Sequence, residues 1–335
     1  IYGSFLKTGT FLILHIAGIL TVGAVIAHVG TEDTRVFREV QQLGQELEQL
    51  RDMTLDSVNE AEVGIVFDWD NYWALEYTSG PNVDLKYVDQ IHQYYRYFYD
   101  RNIPVNMIPF DADFSRYKMV VAPVLYMVKA GMQETLEEFV KNGGVLVTTY
   151  MSGIVDQSDN VYLGGYPGVL SKMAGVWVEE IDALAPEQEN TVIFEDGDSA
   201  PGRLVCDIIH LRGAKCIGRY GQDFYEESPA VTKNRFGNGA VYYIGTEMDK
   251  EGIAKVLDMA AEDVSVKPVI EEKTGLEITC RRKDGYRYYF VMNFKNEDLE
   301  IPSCFAGNTD LLTGESVKSG EILSKFDVKI IRTEE

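Results

Sequence analysis

The stretch "AEVGIVFDWDNYW", residues 61–73, decides how this chain folds. It begins with an uninterrupted apolar run from Val63 to Phe67 and ends in acidic and aromatic side chains. A strand that is apolar on both faces suits the middle of a parallel sheet, because helices cover both faces of such a sheet. The stretch therefore predicts a buried parallel strand with a polar loop at its carboxyl end.

Helical and apolar extended segments alternate after this strand. Their patterns predict a helix over 84–101, strands over 103–108 and 119–123, a helix over 133–141 and a strand over 145–149. Parallel strands joined by helices form right-handed crossovers, and the helices cover both faces of the sheet. The predicted fold class is α/β, with a flavodoxin-like parallel sheet.

Short extended segments dominate beyond Gly153 and indicate a change of architecture. The stretch "RFGNGAVYYIGT" predicts a hairpin that turns at Asn238-Gly239, and one more helix follows over 253–262. From about Lys267 the pattern is all-β, with a hairpin turn at Asp284-Gly285. We therefore expect a flavodoxin-like domain over residues 56–266 and a small β-sandwich domain over residues 267–335.

The segment before these domains predicts an amphipathic connecting helix over residues 29–55. Apolar side chains recur there at spacings of three and four, namely Val36, Val40, Leu43, Leu47 and Leu50. Thr31 or Asp33 is expected to cap the start of the helix. A single apolar stripe cannot bury itself, so this helix is expected to pack on a neighbouring domain.

The first residues raise a separate question. Residues 9–27 read "GTFLILHIAGILTVGAVIA" and contain no Asp, Glu, Lys or Arg. Nineteen residues of helix span roughly 29 Å, which matches a membrane core. A membrane anchor and a signal peptide are two interpretations of this stretch. His15 in its middle argues against a spanning helix, and a membrane location is not the expectation.

Composition limits the classes of partner. The formal net charge of −22 would repel nucleic acids and anionic membrane surfaces, so neither is expected as a partner. The four cysteines, Cys206, Cys216, Cys280 and Cys304, show no zinc-ligand spacing. We expect these cysteines to be reduced thiols and the protein to be cytoplasmic.

The loop after the first strand holds the candidate chemistry, because ligands gather at the carboxyl ends of parallel strands. Asp68 and Asp70 suit a metal site or an acid and base pair, while Trp69 and Trp73 suit stacking on a sugar. The alternative is that the aspartates cap the following turn and the tryptophans fill an interface. No second acidic or histidine cluster supports a metal site, so we predict the capping role.

Other motifs for catalysis or cofactor binding are missing from the sequence. The elbow after the third strand, residues 123–127, reads "PVLYM" and lacks the cysteine that amide hydrolysis would need. No nucleotide-binding glycine motif follows a strand. "GGYPG", residues 164–168, lacks the lysine of a phosphate loop and is expected to be structural. We predict no catalytic residue, no cofactor and no metal.

Four ordered stretches resemble one known family. "HVGTEDTRVFREVQQLG" (28–44), "VGIVFDWDNYWALE" (63–76), "GGYPG" (164–168) and "KNRFGNGAVYYIGT" (233–246) look like the region that follows the catalytic barrel in glycoside hydrolase family 42 β-galactosidases. The resemblance covers roughly residues 23–335. It implies a domain like class I glutamine amidotransferases that mediates trimerisation, followed by a small C-terminal β-domain.

The resemblance does not extend to the family's barrel, which carries both catalytic glutamates of a retaining glycosidase. The family's Glu-x-x-His pair at the barrel end falls on Ile19 and Val22, which cannot hold a sugar. We interpret residues 1–28 as a remnant of the barrel end, from a frameshift or a fragment, with a membrane segment as the alternative. A galactoside substrate is thus expected only through the missing barrel.

The implied function is non-catalytic. By resemblance, the chain is the C-terminal portion of an enzyme that hydrolyses terminal β-D-galactosides with retention, and it assembles a homotrimer and shapes access to the active sites. The residues that the resemblance places nearest that interface are Asp68, Trp69, Asn71, Trp73 and Glu76. A membrane-tethered carbohydrate-binding or scaffold protein is the alternative function.

Overall fold

The computed structural model describes residues 33–272 and 274–335. The predictions for residues 1–28, including the apolar stretch 9–27, lie outside the described residues. Among those that are described, no helix combines the length and the apolar character that crossing a membrane requires. The described chain divides into two compact units, residues 61–267 and a second unit that joins the residues up to Glu60 with Pro268–Glu335.

The regular elements run in chain order as follows: α1 (Arg35–Gln49), α2 (Arg51–Thr54), β1 (Val63–Val66), α3 (Trp69–Tyr77), α4 (Tyr87–Asp100), β2 (Val105–Ile108), β3 (Met119–Ala122), α5 (Met132–Lys141), β4 (Val145–Thr149), α6 (Ser171–Ala174), β5 (Val176–Ala183), β6 (Asn190–Phe194), β7 (Ser199–Leu211), β8 (Lys215–Tyr220), β9 (Pro229–Phe236), β10 (Gly239–Ile244), β11 (Thr246–Met248), α7 (Lys250–Asp263), β12 (Glu277–Lys283), β13 (Tyr286–Met292), β14 (Leu299–Glu300), β15 (Thr309–Asp310), β16 (Ile322–Leu323) and β17 (Val328–Glu334).

The parallel half of the large unit has the flavodoxin strand order. Its strands run β2-β1-β3-β4-β10, and each neighbouring pair is parallel. This confirms the predicted fold class, and the first strand of the quoted stretch lies inside the sheet with β2 and β3 as its neighbours. Its four residues are all buried, as a strand covered on both faces must be.

Two apolar cores form on the two faces of this sheet. Val63 and Ile65 point into one core, which also contains the apolar sides of α4 and α7. Val66 points into the other, where α5 supplies Leu136 and Phe139. Helices therefore cover both faces, as predicted. The helix predicted over 253–262 is α7, and it completes the first of these cores.

Antiparallel strands extend the sheet beyond β10, which the sequence did not predict. The order continues β9-β8-β6-β7-β11, with β5 also paired to β7. The hairpin of β9 and β10 does not turn at Asn238-Gly239 as predicted, since Phe236 pairs with Gly239 and leaves Gly237-Asn238 as the turn. Gly237 has φ +63°, which fits a type II′ turn. Gly239 is instead part of the strand, where an added Cβ would lie 2.1 Å from the Gly144 carbonyl oxygen.

The smaller unit is built on an antiparallel sheet of strand order β12-β13-β17-β15. Its first hairpin turns at Asp284-Gly285, as predicted, and both residues have positive φ. The short pair β14 and β16 packs Leu299 and Leu323 against one face of the sheet. The other face is covered by Leu50 and Met53, at and just after the end of α1.

Helix α1 begins after Thr34, whose hydroxyl accepts a hydrogen bond from the Phe37 N–H, so neither Thr31 nor Asp33 is the cap. Its apolar stripe is present as predicted. No residue of α1 is buried by the rest of the described chain, however, and Val36 is exposed. The end of the segment is anchored instead, because Leu50 and Met53 are buried in the smaller unit.

A buried carboxyl group lies in the antiparallel half of the large unit. Asp207, on β7, accepts a hydrogen bond of 2.6 Å from the Tyr243 hydroxyl through Oδ2. Its Oδ1 has no hydrogen-bond partner among the described residues. Burial raises the pKa of Asp207 to about 7, and the Tyr243 hydrogen bond opposes the rise. This carboxyl group therefore resists ionisation in the folded protein.

Candidate functional site

The candidate site lies at the carboxyl ends of β1, β2, β3 and β4. The chain leaves β1 through Phe67, and Asp68 then caps α3 by accepting a hydrogen bond from the Asp70 N–H. The cap satisfies one of the free N–H groups at the helix start, and a carboxylate is favourable next to the helix dipole. Asp68 thus has the capping role predicted for it.

Lys129 binds both aspartates of the loop. Its Nζ lies 2.8 Å from Asp68 Oδ1 and 2.6 Å from Asp70 Oδ2. The Lys129 and Asp68 side chains are only 11% and 8% exposed, so this pair is shielded from water. The ammonium group also lies 4.1 Å from the centre of the Phe110 ring, which follows β2.

The local charges keep this lysine protonated. Desolvation lowers the pKa of Lys129, but the hydrogen bonds and charges of Asp68 and Asp70 outweigh it and hold the pKa above its usual value. Lys129 offsets one of the two carboxylate charges, so the three side chains form an ion-pair network with one net negative charge. Within residues 33–272 and 274–335, no cluster of three or more metal-ligating side chains occurs.

Asn71 holds the elbow that follows β3. Its Nδ2 donates to the Val124 carbonyl oxygen at 3.0 Å, and its Oδ1 accepts from the Met127 N–H at 2.8 Å. The Val124 N–H donates in turn to Thr149 Oγ1, at the end of β4. Val124 has φ +47°, a strained conformation for a β-branched residue. The elbow therefore keeps a sharp backbone turn, but its apex is a buried valine instead of a nucleophile.

Replacing Asn71 with alanine is expected to lower the free energy of unfolding by about 2–3 kcal/mol, because it leaves a buried carbonyl and a buried N–H without partners. Urea unfolding followed by circular dichroism measures the change. Glu76→Ala is the matched control on the same helix, and it should change stability by less than about 0.5 kcal/mol because Glu76 is exposed. Equal stabilities of the two variants would contradict the role of Asn71.

One side of α3 presents an aromatic ridge, defined here as Trp69, Trp73 and Tyr77. The three residues are spaced by four and so lie on one helix face. They are 59%, 51% and 89% exposed. Trp69 packs edge-on against Phe67, with ring centres 5.1 Å apart, and its ring centre lies 6.0 Å from that of Trp73. The ridge is therefore the candidate binding surface of this unit.

The residues predicted from the sequence separate into two groups. Trp69 and Trp73 belong to the aromatic ridge, and Glu76 is exposed on the same short helix. Asp68 and Asn71 are buried, where Asp68 binds Lys129 and Asn71 binds the elbow after β3. Sequence reasoning missed Tyr77, Lys129 and the strained Val124. A signal for Lys129 was present, because it is the lone charge in the apolar run from Met119 to Met132.

The "GGYPG" loop is structural, as predicted. Gly165 has φ +94°, and an added Cβ there would lie 2.0 Å from Trp177 Nε1. The Trp177 indole N–H donates to the Gly164 carbonyl oxygen at 2.9 Å. Backbone groups of this loop thus bind a tryptophan of the same unit. The fold and the site together define a flavodoxin-like domain of the amidotransferase type, with an elbow that carries no nucleophile.

Comparison with known proteins identifies the family. Residues 61–267 match the family profile described as "Beta-galactosidase trimerisation domain", and residues 275–333 match the one described as "Beta-galactosidase C-terminal domain". The chain belongs to the glycoside hydrolase family 42 β-galactosidases. This confirms the resemblance seen in the sequence.

Curated relatives and solved structures agree with this assignment. The β-galactosidase LacZ of Lactobacillus acidophilus is 46% identical over 310 residues, which are 92% of this chain and 46% of that protein. The β-galactosidase BgaA of a Planococcus species is 45% identical over 314 residues and is covered to the same extent. The chain thus spans about half the length of the curated relatives it matches.

Two crystal structures show the same fold at substantial identity. The β-galactosidase from Bacillus circulans sp. alkalophilus is 42% identical with a TM-score of 0.87, over 92% of this chain and 46% of that one. The cold-adapted β-galactosidase from Rahnella sp. R3 is 33% identical with a TM-score of 0.84, over 93% of this chain and 46% of that one.

Proposed function

We propose that this chain is the non-catalytic C-terminal portion of a β-galactosidase and that it assembles the enzyme into a homotrimer. The observation that carries the proposal is the match of residues 61–267 to the β-galactosidase trimerisation domain. In the whole protein, a barrel would hydrolyse terminal β-D-galactosides with retention. The flavodoxin-like domain, proposed over residues 56–266, would shape access to the active sites, and residues 267–335 would form the C-terminal domain.

The arrangement of the candidate site supports an assembly role. The aromatic ridge offers apolar area to a partner, while the ion pairs of Lys129 and the hydrogen bonds of Asn71 fix the helix that carries it. Interfaces are rich in tryptophan and tyrosine on rigid supports, because these side chains bury a large area at little entropic cost. We propose the ridge as a contact between subunits. The four free thiols support a cytoplasmic location.

Trp73→Ala is expected to weaken self-association by roughly 30-fold or more, because interface hot spots, among which tryptophan is enriched, contribute about 2 kcal/mol or more each. Sedimentation velocity at several protein concentrations measures the effect as a shift from trimer toward monomer. The fold itself should persist, since Trp73 is half exposed and outside both cores.

Phe224→Ala is the matched control for this experiment. Phe224 is also an exposed aromatic residue of the same unit, but it lies outside α3, and its replacement should leave the mass unchanged. A Trp73→Ala protein with the mass of the unmodified chain would remove the ridge from the proposed interface.

A further inference from the structure

A groove of about 760 Å³ opens on the smaller unit, away from the site described above. It lies where β17 extends beyond β15, which pairs only with Ile331 and Arg332. The volume falls within the range of pockets that bind small molecules, roughly 300–1,000 Å³. All of its lining residues come from residues 269–334 of this one unit.

Unused hydrogen-bonding groups line the groove. The Arg332 guanidinium group makes no ion pair or hydrogen bond with any described residue, although it stacks 5.1 Å from the centre of the Tyr286 ring. Stacking of this kind orients the planar group and leaves its N–H donors free at the edge. Glu334 lies two residues further along β17, and its carboxylate accepts no hydrogen bond from the described chain.

The opposite wall adds acceptors from a fixed backbone. Asn308 donates through Nδ2 to the Phe305 carbonyl oxygen at 3.2 Å, which holds the amide and leaves Oδ1 as a free acceptor. The Asn308 carbonyl oxygen accepts from the Val317 N–H at 2.8 Å, so the loop itself is tied down. The hydroxyl groups of Thr309 and Thr333 have no partner among the described residues either.

Aromatic side chains complete the groove. Tyr289 packs against Phe305 with ring centres 5.0 Å apart and so cannot swing away. Tyr286 is held under Arg332. The two tyrosines lie on opposite faces of the sheet, so the groove passes around the sheet edge and meets one ring on each side. Aromatic surfaces together with unpaired donors and acceptors fit a ligand with apolar C–H faces and many hydroxyl groups, which describes a sugar.

We propose that this groove is a non-catalytic binding site for a neutral β-galactoside oligosaccharide, held by Arg332, Glu334 and Asn308 at the β17 edge of the sheet. The guanidinium group donates to two neighbouring hydroxyl oxygens, and the Glu334 carboxylate and Asn308 Oδ1 accept from hydroxyl groups. The choice of galactoside rests on the proposed function. Polyanions such as nucleic acids are disfavoured, because Glu271, Glu272 and Glu334 surround a single arginine in the groove.

The test is a calorimetric titration of the 335-residue chain with β-1,4-galactobiose and galactotetraose, with cellobiose as the comparison sugar. We expect saturable binding of the galactosides on the order of millimolar Kd, and binding of cellobiose at least tenfold weaker. Arg332→Ala and Asn308→Ala should each weaken galactoside binding at least tenfold, and Arg332→Lys should fall between, since it keeps the charge and loses the planar fork. Arg51→Ala, another exposed arginine of the same unit, should have no effect.

Three results would overturn the proposal: no saturable binding by the unmodified chain up to tens of millimolar, equal binding of cellobiose, or galactoside binding that survives both alanine variants. A thermal melt of each variant shows whether it is folded, and Thr309→Ala and Thr333→Ala serve as milder variants of the same walls. Sedimentation of the same samples reports assembly separately. A trimer without sugar binding would refute only the groove, and sugar binding by a monomer would refute only the assembly role.

Discussion

Lys129→Met is expected to lower the free energy of unfolding by about 3 kcal/mol or more, because it leaves the Asp68 carboxylate without its cation in a position shielded from water. Methionine keeps most of the apolar part of the lysine side chain, so the loss of stability is due to the missing charge and not to lost packing. The tryptophans of α3 provide the fluorescence signal for unfolding in urea. Combining Lys129→Met with Asp68→Asn should recover at least half of the lost stability, since the double variant has no unpaired buried charge.

Lys118→Met is the matched control for the Lys129 variant. Lys118 lies 2.6 Å from Glu62, but both side chains of that pair are almost half exposed. Exposed ion pairs contribute little, so the control should lose less than about 1 kcal/mol. If both lysine variants lose the same stability, or if the double variant recovers nothing, the shielded ion pair does not stabilise the domain as described.

Asp207→Asn is expected to stabilise the protein at alkaline pH. The pKa of Asp207 is about 7 in the folded state and near its ordinary value in the unfolded chain. The contribution of Asp207 to the free energy of unfolding is therefore fully present below about pH 4. It is lost as the pH rises toward 7, because in that window Asp207 ionises freely only in the unfolded state. An asparagine cannot ionise, so the stability of the variant does not fall with pH for this reason.

The measurement is urea unfolding of both proteins at pH 5.5 and pH 8. The stability of Asp207→Asn relative to the unmodified chain should rise by roughly 2 kcal/mol between these two pH values. Asp182→Asn is the matched control, because Asp182 also accepts a hydrogen bond from a tyrosine hydroxyl, that of Tyr225 at 2.7 Å, but is only partly buried. A relative stability that does not depend on pH, or the same rise in the control, would show that Asp207 is not the titrating group.

The parallel half of the large unit was predictable because its signals are local. The apolar run at Val63–Phe67 identifies a central strand by itself, and Asp68 is recognisable as a helix cap from its immediate neighbours. The hairpin at Asp284-Gly285 was predictable for the same reason, since the turn conformation is determined by two residues. These features depend on a few consecutive side chains.

The remaining features depend on contacts between distant residues. Lys129 pairs with Asp68 across 61 residues, and no local sequence pattern predicts an ion pair between residues so far apart. The turn between β9 and β10 was misplaced by one residue, because both Gly237 and Gly239 suit a turn. What excludes Gly239 from the turn is the close approach of the Gly144 carbonyl oxygen, which belongs to a different part of the chain. The antiparallel extension likewise follows from pairing between strands.

The position of β10 has a consequence for the synthesis of the protein. β10 fills the sheet position beside β4, yet the ribosome makes β4 first and reaches β10 only after β5 through β9. During that interval the nascent chain carries an apolar strand with one edge unpaired, a template for pairing with other chains. A product that terminates before Gly239 would keep that edge open permanently. The two halves of the sheet therefore have to be synthesised together. Neither half should be recovered as a folded protein when it is expressed alone.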